Sequence, residues 1–310
     1  MNNKSQIKRL SNGEMVDLSK LDKSELRRLH YEEEKFVAEQ LCKMKPFSEE
    51  RYDLLRQGYS VIRPIMFRYR SSGESKSYGA TERSVKLVCD FIEKQKSGTV
   101  HIYEAGVGAG FSCEHFLKFP NVIVKGCDVV IYDKVKQLSE EYPNFQVDKD
   151  TLYNSLKNIE DESIDIFYAD NVIEHIFPDE FPQILDLLSR KVKKRGVLIL
   201  IIPNKYVGPN DVSRYFVARG KKPEGFHFME MSYREVITKF KEAGFMPAYF
   251  LFRGIKDQKY IKYIKDVGGI LNSCKIWIES VLGLFIKWLG SVGPRIFNVM
   301  ALNYYVLVKK

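Results

Sequence analysis

The 310-residue sequence lacks several features, and each absence excludes something. It has no run of about 18 uncharged apolar residues, so no ordinary transmembrane helix is expected. Its first residues, MNNKSQIKRLSNGE, contain no apolar stretch of the kind that forms the middle of a secretory signal, and none is expected. The five cysteines, Cys42, Cys89, Cys113, Cys127 and Cys274, are scattered and form no C-x-x-C pair. That excludes a disulfide framework and a cysteine zinc site, and it fits a reduced, cytoplasmic chain.

What is present is ordinary in amount and uneven in place. The chain is 45% hydrophobic and 29% charged, enough for one core of about 200 residues with added elements. The formal net charge is +9. Residues 190–222 hold ten basic side chains against the single acid Asp211, and residues 253–310 hold ten against three acids. Such surfaces suit nucleic acid, anionic lipid or a phosphate-bearing acceptor, or are simply solvated.

Periodicity orders the rest. Residues 24–44 place Leu26, Leu29, Phe36, Val37, Leu41 and Met44 on one helical face, with Ser24 as a cap, and Ser48 opens a second short helix. Arg63-Pro64 and the polar run after it read as a loop. Residues 1–75 are therefore expected to be a helical appendage, serving as a lid or as packing. From the helix capped by Thr81, strands and helices alternate. Strands are expected at 100–105, 121–130, 145–147, 163–170, 197–203, 245–252 and 299–308, with a helix from Pro178 to Lys194 ended by Gly196. Alternation of this kind specifies an α/β fold with a largely parallel sheet and helices on both faces. Residues 256–296 read as a helical insertion. Its stripe of Ile270, Leu271, Cys274, Trp277, Ile278, Val281, Leu282, Phe285, Trp288 and Leu289 suits packing on the core, a membrane surface met through 270–289 or a dimer interface. In the membrane case Lys275 and Lys287 would face anionic headgroups.

The most informative stretch is His101 to Glu114, HIYEAGVGAGFSCE. It reads as a buried strand, a turn with Gly106, Gly108 and Gly110, and the start of a helix. Alternate glycines leave bare backbone for a ligand, and the helix start adds free N–H groups. A dinucleotide fingerprint would need a glycine at 111, where Phe111 stands.

Glu104-x-Gly106-x-Gly108-x-Gly110 resembles the first motif of the class I S-adenosylmethionine-dependent methyltransferases. Asp165 to Ile176, with its Val172-Ile173-Glu174-His175 ending, resembles the family's fourth strand; Arg195 to Asn204 resembles the next turn and strand; Met231 to Phe245 resembles the helix before the sixth. The resemblance covers about residues 80–310. It implies a Rossmann-like seven-stranded sheet at 76–310, with S-adenosylmethionine as cofactor. Its binding residues would be Glu104, Gly106, Gly108, Gly110, Asp128 for the ribose, Asp150 (ahead of Asp148) and Thr151 near the adenine, and Asn171.

Methyl transfer to a hydroxyl needs alignment and benefits from a base near neutral pKa. His227 and His175 are the candidates, with His227 ahead as base or orienting group. The loop at 203–216 is the second acceptor region, so Asn204, Tyr206, Arg214 and His227 are expected at the substrate. Asp170, Glu174 and His175 cluster in the sequence, which would suit a metal-dependent methyltransferase, but nothing there shows that they converge, so no metal is expected. The expectation is O-methylation of a small-molecule or glycan acceptor, phosphorylated or lipid-linked, in the cytoplasm or at the inner face of the membrane. The competing readings are a nucleic-acid methyltransferase, disfavoured because Asp170-Asn171-Val172-Ile173 stands where an N-P-P-Y tetrad would, and a non-catalytic binding module of the same fold. A nicotinamide oxidoreductase is disfavoured by Phe111.

Overall fold

The computed structural model describes residues 7–70, 82–95, 98–253, 261–285 and 292–310. At its centre are the strands β1 (Val100–Ala105), β2 (Val122–Cys127), β3 (Phe145–Asp148), β4 (Ile164–Asp170), β5 (Val192–Ile201), β6 (Phe245–Pro247) and β7 (Tyr304–Lys309). They form one sheet in the order β3-β2-β1-β4-β5-β7-β6. The first five pair in parallel, and β7 runs antiparallel to both its neighbours. The expected Rossmann-like sheet is therefore present.

The helices are α1 (Lys23–Leu41), α2 (Glu49–Arg70), α3 (Glu82–Glu93), α4 (Phe111–Phe116), α5 (Asp133–Glu141), α6 (Leu152–Lys157), α7 (Phe181–Lys191), α8 (Tyr233–Glu242), α9 (Ile270–Phe285) and α10 (Val292–Val299). Alternate residues of each central strand point to opposite faces. Ile102, Val124, Ile166, Ile199 and Val306 meet α3, α4 and α5, while Tyr103, Phe167, Leu198, Leu200 and Leu307 meet α6, α7 and α8. Each such side chain, fully buried, contributes about 1.5–3 kcal/mol.

Several expected boundaries move. Asp22, not Ser24, caps α1, in a reciprocal capping box with Glu25. Ser48 does open the second helix, its Oγ accepting from Arg51 N at 3.2 Å. That helix then runs straight through Pro64 to Arg70, where a loop was expected. Burial of Ile62, Ile65, Met66 and Tyr69 on the far side of the proline outweighs the one backbone bond it removes. Helix α7 ends at Lys191, and Gly196 lies inside β5, at a register shift where a Cβ would stand 2.7 Å from Val192 Cγ1. The cap assigned to Thr81 lies outside the described residues.

The C-terminal part differs more. Tyr249–Arg253 pairs with Ile261–Lys265 in a hairpin, so the insertion is not wholly helical. Val299 ends α10, and the last strand starts only at Tyr304. Helix α9 is oriented against expectation. Asn272, Lys275 and Glu279 face inward, with Glu279 accepting from Tyr233 N at 2.5 Å and from Arg234 N at 3.0 Å. Lys275 is buried, so it faces no headgroup, and Trp277 is 66% exposed. Lys287, Trp288 and Leu289 lie outside the described residues.

Helices α1 and α2 are fastened to the sheet domain. Arg51, almost fully buried, donates to Asp179 at 3.1 Å and to Glu180 at 2.8 Å, and its guanidinium lies 3.6 Å from the centre of the Phe177 ring. Val37, Leu41, Leu55 and Ile62 pack with Phe177, Phe226 and Phe228.

Candidate active site

A cavity of about 630 Å³ lies at the carboxyl ends of β1, β2, β4 and β5, a volume suited to small ligands. One wall is the glycine turn. Gly106 has φ +69, and a Cβ there would sit 2.5 Å from Val172 Cγ2. The turn is held by Gly106 N donating to the Cys127 carbonyl at 2.8 Å and Gly108 N donating to Asp128 Oδ2 at 2.9 Å. Asp128 also accepts from Val130 N at 3.0 Å. Burial raises its pKa, against those bonds and the nearby Arg63.

Gly106, Gly108, Asp128, Asp150, Thr151 and Asn171 all line this cavity. Thr151 caps α6, and Asp150 accepts from Thr151 N at 2.7 Å and Asn154 Nδ2 at 3.0 Å, which holds its carboxylate at the rim. Asp148, its rival for the adenine role, instead accepts from Ser155 Oγ at 2.5 Å and does not line the cavity. Asn171 has φ +54, a left-handed turn that asparagine tolerates.

Glu104 and Gly110 do not line the cavity. Glu104 points to the other side of β1, where it accepts from Ser112 Oγ and from Cys113 Sγ at 3.0 Å. Burial raises its pKa to about 8; these two bonds oppose the shift, and Asp170 and Asp128 add to it. Its place is under the turn, tying β1 to α4. Gly110, with φ +80, is the cap of α4 and packs on Val135 and Leu138.

The opposite wall comes from α1 and α2. Tyr52, Leu55, Tyr59, Arg63, Met66 and Arg70 recur at three- and four-residue spacing, so they form a single face of α2, and all line the cavity, with His30 and Glu34 from α1. Arg63 lies 3.8 Å over the Tyr132 ring. The expected loop at Arg63-Pro64 broke this pattern in the sequence; the spacing itself was the signal.

Between these walls stand His175 and His227, with ring centroids 4.7 Å apart and planes at 90°. His175 Nδ1 lies 2.9 Å from the Phe226 carbonyl and 3.3 Å from Tyr59 Oη. A carbonyl only accepts, so the proton sits on Nδ1 and Nε2 carries the lone pair. Burial, with the charge of His227 second, lowers the His175 pKa to about 3. For His227, burial acts downward. Its 2.7 Å bond to Glu230 and the charges of Glu174, Glu230 and Asp211 outweigh burial and raise its pKa to about 9. Its protonated form is thus favoured, which suits it to orienting an oxygen rather than accepting a proton. Glu174 beside them is fully buried, with both oxygens unpartnered among the described residues, and burial raises its pKa to about 8. Glu174, His175 and His227 converge, a trio other than the Asp170, Glu174 and His175 weighed in the sequence; Asp170 instead accepts from Ser84, Tyr168 and Asn171.

Of the expected substrate residues, Asn204, Arg214 and His227 line the cavity and Tyr206 does not. The Asn204 amide is committed, donating to Glu279 Oε1 at 2.6 Å and accepting from Tyr206 N at 3.1 Å. The Tyr206 ring packs against Phe297 and under Gly283 of α9, where a Cβ would be 2.8 Å away.

Residues 103–200 match the methyltransferase domain family. Among solved structures, the chain is similar to a SAM dependent methyltransferase from Archaeoglobus fulgidus, at 17% identity over 79% of this chain and 99% of that one, with a TM-score of 0.47. It is similar to the 1,6-didemethyltoxoflavin-N1-methyltransferase of Burkholderia thailandensis, solved with 1,6-didemethyltoxoflavin and S-adenosylhomocysteine, at 14% identity over 71% and 90% of the two chains, TM-score 0.46. It is also similar to phosphoethanolamine N-methyltransferase 2 of Haemonchus contortus, solved with S-adenosyl-L-methionine, at 14% identity over 83% and 59%, TM-score 0.49.

Two outcomes follow from this geometry. Gly106→Ala introduces a clash with Val172 at a left-handed position, and calorimetry is expected to show loss of S-adenosylhomocysteine binding in a chain that still folds. Glu104 binds a proton in the folded chain between its unfolded pKa of 4.5 and about 8, and does not in the unfolded chain. Stability therefore falls as pH rises through that window, by about 1.4 kcal/mol per unit. Glu104→Gln is expected to flatten this fall in denaturant titrations from pH 5 to 8; an unchanged slope would place the effect elsewhere.

Proposed function

We propose that this chain, a class I S-adenosylmethionine-dependent methyltransferase, O-methylates a small-molecule or glycan acceptor that lies under α2. S-adenosylmethionine supplies an electrophilic methyl group on a sulfonium. The residues present fit it: bare backbone at Gly106 and Gly108, the Asp128 carboxylate for ribose hydroxyls, and Asp150 with Thr151 and Asn171 for the adenine end. The observation that carries the reading is that His175 and His227 share one cavity with Gly106, Gly108 and Asp128.

On this reading the protein's work is alignment and exclusion of water. Tyr59 and Leu55 of α2 cover the acceptor. His227, fixed by Glu230, orients the acceptor oxygen, and His175, whose low pKa makes it a weak base, flanks the same oxygen. Arg63, Arg70 and Arg214 line the same cavity, and guanidinium groups suit a phosphorylated or lipid-pyrophosphate-linked acceptor. A nucleic-acid acceptor is less favoured by the basic stretch at 190–222, where Arg190, Lys191, Lys193 and Lys205 are ion-paired to Asp186, Asp161, Asp165 and Glu235.

We infer that α9 meets an anionic lipid surface, and that the chain works at the inner face of the membrane. Among the described residues no helix is long and apolar enough to cross a membrane. Yet α9 exposes Ile270, Trp277, Leu284 and Phe285 on one side, and Val267 before it is 79% exposed. Of the three acids in residues 253–310, Asp266 and Glu279 are buried, which leaves the local surface basic.

The test of the main reading is transfer of labelled methyl groups to acceptors bearing a hydroxyl, compared with the same scaffolds bearing an amine. His227→Ala is expected to reduce turnover about 100-fold or more while S-adenosylhomocysteine affinity is retained. Intact turnover would remove His227 from the reaction, and cofactor binding without transfer to any class of acceptor would favour a non-catalytic module. For α9, the chain is expected to sediment with phosphatidylglycerol vesicles and not with phosphatidylcholine vesicles. The Trp277→Ser, Leu284→Ser double variant should stay in the supernatant; equal partition of wild type and variant would contradict the lipid assignment.

A further inference from the structure

Glu174, His175 and His227 meet on the acceptor side of the cavity, with one donor atom of each within 4.8 Å of the others. Glu174 is fully buried, and among the described residues neither carboxylate oxygen has a hydrogen-bond partner. A buried carboxylate in that condition costs several kcal/mol unless a cation compensates it. The His227 ring faces it but is already bonded to Glu230, and Met229 N donates to the Glu174 backbone carbonyl rather than to its side chain.

The two imidazoles are already held from behind. His175 uses Nδ1 on the Phe226 carbonyl, and His227 uses Nδ1 on Glu230 Oε1. Metal-binding histidines show this arrangement: the nitrogen away from the ion bonds a carbonyl or carboxylate, which fixes ring and tautomer. Glu230 is itself anchored, accepting from Asn210 N at 2.7 Å and Asn210 Nδ2 at 3.0 Å. Asp211 adds further negative charge near His227.

We propose that Glu174, His175 and His227 bind one divalent transition-metal ion through the Glu174 carboxylate and the two Nε2 atoms, with Glu230 and the Phe226 carbonyl as orienting partners. Two imidazoles and one carboxylate favour zinc, manganese or iron over magnesium or calcium, which prefer all-oxygen sets. Three protein donors leave coordination positions open. Those positions would take the acceptor's oxygen, a role that rests on the O-methylation reading; the ion site itself does not.

The experiment is calorimetric titration of the chelator-stripped chain with Mn²⁺ and, separately, Zn²⁺, with S-adenosylhomocysteine binding measured in parallel. One ion per chain is expected. Glu230→Gln should weaken binding by about 10–100-fold, and Glu174→Gln and His227→Gln by more. Glu174→Gln should still bind S-adenosylhomocysteine as wild type does, which reports an intact fold even if His227→Gln fails to fold. No ion bound by wild type, or an unchanged affinity in Glu174→Gln, would overturn the site. An ion bound as expected, with hydroxyl methylation unaltered by stripping it, would leave the site in place and overturn its assignment to the acceptor.

Discussion

The segment from Gly225 to Glu230 is held from three sides, and the geometry of the cavity depends on it. Gly225 N donates to Asp211 Oδ2 at 3.1 Å, Phe226 N to Glu34 Oε2 at 3.3 Å, and Met229 N to the Glu174 carbonyl at 3.0 Å. These partners come from the loop after β5, from α1 and from the end of β4. A Cβ on Gly225 would fall 2.2 Å from Glu34 Oε2 and 2.7 Å from Asp211 Oδ2, so glycine here leaves both carboxylates in place against the strap. Once it is in place, the Phe226 carbonyl orients His175 and Glu230 orients His227. The N-terminal helices are thus part of the site's frame, pinned in turn by Arg51 to Glu180 and by the packing of Phe226 and Phe228 against α1 and α2.

The cost of this frame is charge burial. Glu34, Glu174, Glu180, Asp170 and Asp211 are all buried around one cavity. Some are satisfied in pairs, as Glu34 is with His30 at 2.8 Å and Glu180 with Arg51. Asp170 accepts from Ser84, Tyr168 and Asn171. Glu174 alone among them has no partner for either carboxylate oxygen among the described residues. A fold that satisfies its other buried acids so thoroughly makes this one informative, and it stands beside the two histidines that the strap aligns.

Much of this was legible in the sequence. The sheet followed from alternation of apolar runs, and the cradle from Glu104, Gly106, Gly108 and Asp128. The turn was legible because its glycines answer to local backbone needs. Glu104 was misplaced because a strand-end acid can face either side, and only the packing of α4 decides which. Tyr206 was misplaced because its loop is covered by α9, an element some 70 residues away whose orientation the apolar stripe suggested wrongly: the buried face of α9 is its polar one, bonded to Tyr233, Arg234 and Asn204. The wall formed by α2 was hidden by Pro64, which reads as a break and is overridden by burial on both sides of it. The convergence of Glu174, His175 and His227 spans about 50 residues of sequence and is set by the strap, so no local pattern could reveal it.

The central claim is that one cavity holds the methyl donor against the glycine turn and the acceptor against the paired histidines. A crystal structure of the chain with S-adenosylhomocysteine tests it most directly. The account requires the ribose on Asp128, the adenine beside Asp150 and Thr151, and the sulfur open toward His175 and His227 beneath α2. A ligand bound elsewhere, or one whose sulfur is walled off from both histidines, would contradict it.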